Sequence, residues 1–162
     1  YPEAANAPQS FPRTDTGLVS MFGNWWGVFT VSGIFHEFPT TAGETWEMYS
    51  SARHWSGDAM STDGVEDNWV VQKIAFFDAG NNEIGGVEST ILNGTFAMDV
   101  WHDAATISGV APAGTVKLQA LILYLQPMWD GGAAHIDDVS LVHVIPVKTE
   151  STTWGGIKAL YR

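Results

Sequence analysis

The sequence predicts an all-β protein, an antiparallel sandwich or barrel, on three observations. Short alternating or apolar segments recur at intervals of roughly ten residues, each closed by Gly, Pro, Asn or Asp. No i, i+3, i+4, i+7 apolar pattern persists through three helical turns. The 162 residues are 45% hydrophobic, enough to bury one core and too few to suggest several domains.

Residues 1–17 carry Pro2, Pro8 and Pro12 without apolar periodicity and read as an extended arm or linker. The sandwich is expected over 18–145. Its first strand is Leu18 to Phe22, closed by Gly23-Asn24-Trp25-Trp26-Gly27, a turn with paired indoles. Val28 to Val31 and Ile34 to Phe38 read as two short strands separated by Ser32-Gly33, and Thr40 to Glu44 as a tight turn. Thr45 to Arg53 alternates, with Trp46, Met48, Ser50 and Ala52 toward the core and Glu47, Tyr49 and Arg53 on the other side.

His54 to Asn68 is a long polar loop with four acids and Trp55, a length that in compact domains often marks function. Trp69 to Asp78 is apolar on both faces, as a central strand should be. Ile84 to Asn93 is a weaker strand, broken by Gly85-Gly86, and Thr95 to Ile107 holds Phe96, Met98, Val100 and Trp101, the last expected in the core with Trp46. Val116 to Gln126 and a strand starting at His135 flank the loop Pro127 to Ala134. Residues 146–162 change character and read as a short tail, with Ser151 or Thr152 placed to cap a helical turn.

Seven Lys and Arg stand against eighteen Asp and Glu, a formal charge of −11, which repels a phosphate backbone and argues against nucleic acid. No apolar run reaches the ~20 residues of a spanning helix. Without cysteine there is neither disulfide nor thiolate metal site. The five His fit no metal-binding spacing, and no Ser stands in a nucleophile elbow. The chain opens on Tyr1 with no leader pattern, as expected of a mature form or an excised domain.

The chemistry that remains lies in indoles and carboxylates. Eight Trp are more than one small core needs. Trp25, Trp26, Trp55 and Trp129 stand in turns or loops, where an indole either anchors the loop or offers a flat face to the C–H side of a sugar ring. Tyr49, Arg53, Gln72 and Gln126 carry the donors and acceptors that read hydroxyls, although each alone is an ordinary strand residue. Asp137 and Asp138 sit inside an apolar strand, where a carboxylate needs a cation or a hydrogen-bond network.

An ordered set of segments resembles the galactose-binding-like jelly-roll sandwiches, in particular carbohydrate-binding modules attached to xylanases and glucanases. The segments are Ser32 to Pro39 with Ala42 to Trp46, Ile74 to Ala79, Trp101, Ala111 to Val116, and Gly131 to Leu141. The resemblance implies a non-catalytic, extracellular or secreted module that binds a polysaccharide or oligosaccharide and is attached to a larger protein. It also implies a structural calcium at Asp137 or Asp138. The Asn-Gly-Phe-Glu-like opening that supplies the second acid in such modules is missing here, so the first strand is expected to be degenerate or absent. Hence a second reading, a fibre or surface subunit that self-associates by strand exchange through the arm. A lyase or hydrolase on the same scaffold is a third class.

Overall fold

The computed structural model describes the backbone of residues 19–22 and residues 28–64, 67–128 and 130–145 in full. Nine strands are formed there: β1 (Val19–Phe22), β2 (Thr30–Pro39), β3 (Thr45–His54), β4 (Trp69–Phe77), β5 (Glu83–Asn93), β6 (His102–Asp103), β7 (Ile107–Val110), β8 (Lys117–Gln126) and β9 (Ala133–Val144). They build two antiparallel sheets packed as a jelly-roll sandwich. One has the order β1-β9-β3, with β6 and β7 sharing the far edge of β3; the other has the order β2-β8-β4-β5. The two segments expected on either side of Ser32-Gly33 are one strand, paired without a break from Thr30↔Gln126 to Pro39↔Lys117. Gly33 fits mid-strand because a side chain there would meet Leu123.

Alternation explains which residues go inside. On β8, Leu118, Ala120, Ile122 and Tyr124 are buried while the residues between them are half-buried on the outer face. Val70, Ile74 and Phe76 of β4, Met48 and Ala52 of β3, and Ala134 and Ile136 of β9 complete the core, with Trp46 and Leu141 packed against it. Its dry apolar area is the main source of stability at this chain length.

β9 is irregular in one place. Its pairing with β3 slips between Tyr49 and Ser51, and Asp138 takes a positive φ of 52°. The strand absorbs one extra residue there, so core positions run Ala134, Ile136, then Leu141 opposite Met48. Beyond that bulge the edge of β9 carries exposed Val139 and Val142, and β2 across the sandwich exposes Ile34 and Phe35. The first strand is present but covers only Ala133 to Ile136 of β9. The arm and tail lie outside the described residues.

Candidate functional site

Strand directions sort the connections into two unlike ends. At one end are compact turns: Thr40 to Glu44, tied by Thr40 Oγ1 donating to Glu44 Oε2 (2.7 Å) and Trp46 Nε1 donating to Thr40 Oγ1 (2.8 Å); Asp78 to Asn82; and Pro112 to Thr115. At the other end converge the long connections after β3, β5 and β8, because His54 pairs Ala134, Gln126 pairs Thr30, and Trp69 pairs both Asn93 and Leu125. These connections carry Trp55, Trp101 and, at the start of β4, Trp69, all three half-buried. Trp25, Trp26 and Trp129 lie outside the described residues; their sequence neighbours Phe22, Val28, Met128 and Asp130 belong to this same end.

Three hydrogen-bonded anchors hold the long loops in place, of which His54 and Tyr124 are buried and Asp99 is exposed. His54 is fully buried: Met60 N donates to its Nδ1 (3.3 Å), which leaves Nε2 to donate to the Phe96 carbonyl (2.9 Å). Asp99, at φ 62°, donates its N–H to the His54 carbonyl (2.9 Å) and accepts from Ser56 N (3.1 Å). Tyr124 reaches up from the core and donates to the Gly132 carbonyl (2.7 Å) while accepting from Asn68 Nδ2 (2.9 Å). Burial, aided by the carboxylates of Asp58 and Asp130, holds the Tyr124 hydroxyl far above its ordinary pKa, so it stays a neutral donor.

The functional groups stand on this frame. Trp55 forms a one-bridge hairpin with Asp58, its ring lying against Gly57, where any side chain would collide with it. Arg53 lies 5.8 Å from the Trp101 ring and 3.5 Å from Asp99 Oδ1. Hydrogen bonds from Ser56, with the Arg53 charge adding to them, hold the Asp99 carboxyl below the usual range and therefore ionised. Further along the outer face of β3, Tyr49 donates to Asp103 Oδ1 (2.7 Å) and Ser51 donates to the same oxygen (3.0 Å). The arrangement offers half-buried indoles and the exposed, ionised Asp99, with the Arg53 guanidinium buried beside them.

Several sequence expectations need correction. Gln72 is fully buried and cannot meet a ligand; it faces inward from β4, accepts from Ser50 Oγ (2.9 Å) and donates to the Ala105 carbonyl (2.7 Å), bolting the two sheets together. Changing Gln72 to Leu strands both partners and is expected to cost about 1–3 kcal/mol; an unchanged urea midpoint would show that this network adds nothing. Gln126 is also buried, its Oε1 accepting from Thr30 Oγ1 (3.3 Å) and its Nε2 donating to the Asp130 carbonyl, so it shapes the loop from below. Trp101 is not a core residue but stands on the 94–101 loop beside Arg53. Arg53 is itself buried, at 8% exposure, where it meets Asp99 and Trp101, and Tyr49 lies further along the same face of β3. Sequence reasoning missed Asn68 and Asp99; only the length of the 54–68 loop hinted at the first.

Asp137 is buried on the outer face opposite Ser51, and its Oδ1 accepts from the Asp138 N–H (2.7 Å). The neighbouring His135 pairs with Arg53, and burial, followed by the Arg53 charge, lowers its pKa from 6.5. The unfolded chain therefore takes up a proton at His135 that the fold resists. Stability from this group is whole above pH 6.5 and falls as the pH drops through that value toward the lower folded pKa. Melting temperature should decline across that window, and His135→Gln should flatten the slope; an unchanged slope in the variant would assign it to other groups.

No protein-family model matches the chain, and no curated protein matches it. Solved structures similar in fold include the enzymatically active domain of tailspike protein 4 of bacteriophage CBA120, at 12% identity over 79% of this chain with a TM-score of 0.45. TmCBM61 in complex with beta-1,4-galactotriose aligns at 15% identity over 78% of this chain and 70% of its own, TM-score 0.43. A carbohydrate-binding module of the β-sandwich superfamily aligns at 15% identity over 72% of this chain and 58% of its own, TM-score 0.42. The chain spans 19% of the tailspike chain. The likeness is one of fold.

Proposed function

We infer that the loop end is a non-catalytic binding site for a neutral polysaccharide or oligosaccharide. The observation that carries this is the convergence on one end of the loops bearing Trp55 and Trp101 with an Arg53–Asp99 pair, the Trp101 ring 5.8 Å from the guanidinium. An indole face takes the C–H side of a pyranose, and ionised carboxylates accept from its hydroxyls. The excess of acid, −11 over the chain, disfavours uronate polymers. Asp99 is held ionised, which suits a hydroxyl acceptor. Titration calorimetry against neutral β-glucans, xylans, mannans and galactans, beside polygalacturonate, tests the reading. Heat with at least one neutral glycan is expected, and none across the panel would reject it.

The edge of β9 favours a second reading, that of an extracellular assembly subunit. Among the described residues β1 covers four residues of β9 and no other strand covers the rest of that edge, next to which Val142 is 54% and Phe35 63% exposed. Such an edge accepts a strand from another chain. Sedimentation would show concentration-dependent association, lost when residues 1–17 are removed; a monomer at all concentrations would exclude it.

A further inference from the structure

The loop end also contains a group of acids unlike the pair on the last strand. One carboxylate oxygen each from Asp63, Asp67 and Asp130 lies within 4.8 Å of the other two. Around Ca²⁺, oxygens at about 2.3–2.6 Å stand up to about 5 Å apart, so this spacing suits three ligands of one ion. The acids come from two connections, Asp63 and Asp67 from the loop after β3 and Asp130 from the loop after β8. Three carboxylates so close repel one another, and a cation between them would remove that repulsion; Asp67 Oδ1 also accepts from Gly64 N (3.1 Å).

Independent of the acids, Asn68 points to a ligand. Its side chain is fully buried at the junction of the same two loops, and its Nδ2 donates to the carbonyls of Asp130 and Gly131 (3.0 Å each) and to Tyr124 OH (2.9 Å). All donor capacity is thus directed at oxygens, and the assignment of the amide is fixed. Its Oδ1, on the same planar amide, is buried and has no hydrogen-bond donor. A buried acceptor without a donor costs about 1–3 kcal/mol. Asn68 follows Asp67 in the chain and is bonded to the Asp130 carbonyl, so the unsatisfied acceptor belongs to a residue held beside these acids, and a cation or its bound water there would relieve it.

We propose that Asp63, Asp67 and Asp130, with Asn68 Oδ1, form a site for a divalent cation of the calcium type. The donors are all hard oxygens, with neither His nor Cys among them, which excludes a zinc preference. Their origin on loops suits the adaptable coordination of Ca²⁺ more than the rigid octahedron of Mg²⁺. The ion would clip the loop after β3 to the loop after β8, and so fix the spacing of the indoles at this end. The proposal stands whether or not the site binds sugar.

The test uses the full chain freed of metal by chelation. Adding Ca²⁺ should raise the melting temperature, and Tb³⁺ should luminesce on excitation of the Trp residues and be displaced by Ca²⁺. Asp67→Asn and Asp130→Asn should each weaken Ca²⁺ by at least the ~10–100-fold that loss of an outer-shell partner alone costs. Both should match the chelated wild type in far-ultraviolet circular dichroism, which separates lost binding from lost fold. Asp137→Asn should bind as the wild type does. The proposal is overturned if Ca²⁺ changes neither signal, or if binding survives in Asp67→Asn and Asp130→Asn and disappears in Asp137→Asn.

Discussion

Replacing Gly132 with alanine is expected to destabilise the fold by about 3 kcal/mol or more. Gly132 has φ +104°, outside the range that an L side chain adopts at ease. A Cβ there would stand 2.5 Å from Met60 Cα and 2.6 Å from the Ala59 carbonyl carbon. Both are backbone atoms, so no side chain can swing aside. Relief would require the loop after β3 to lift from the start of β9, breaking the Ala133 N–H to Asp58 carbonyl bond (3.1 Å) and the Tyr124 bond to the Gly132 carbonyl. Urea denaturation measures the loss. A cost below about 1 kcal/mol, ordinary for a surface change, would mean that the two loops are not in firm contact.

Trp101→Ala should lower affinity for the bound glycan by roughly tenfold or more, about 1.4 kcal/mol, while leaving stability near that of the wild type. Its ring is half-buried and outside the core cluster, so truncation removes a platform and little packing. It also removes the aromatic face beside the Arg53 guanidinium. Trp101→Phe keeps a ring and should recover part of the loss. Calorimetry on the best glycan of the panel decides: wild-type affinity in Trp101→Ala would move the stacking surface to another indole.

Much of the fold was legible because a strand writes its burial with a period of two. β3, β4 and β8 begin and end within a residue or so of the alternating stretches, since each presents a long apolar row to the opposite sheet. The break expected at Ser32-Gly33 failed because the register of β2 is fixed by β8, and a glycine in a fully paired strand need not end it. The 94–101 segment misled for the converse reason: Phe96, Met98 and Val100 alternate as a strand would, yet Met98 and Val100 are exposed and Asp99 turns left-handed. The site was less legible still. Its loops come from distant parts of the chain, and whether Gln72 or Arg53 meets solvent depends on the layer facing it, which one-dimensional periodicity does not record.

The place of β9 in the sheet order bears on how the chain is made. β1 and β3 never pair with each other; both pair with Ala133–Val144, the last strand described. On the ribosome, β4 and β5 can close their hairpin early, and β8 can join them and β2. The other sheet has no centre until β9 emerges: β3 can take β6 and β7 on one edge, but its other edge and β1 wait for β9. Such pairings, distant in sequence, are slow to form and exposed to wrong partners in the meantime. A chain stopped before Ala133 therefore lacks the seam that joins its beginning to its middle, and would be a substrate for chaperones and proteases rather than a smaller version of the protein.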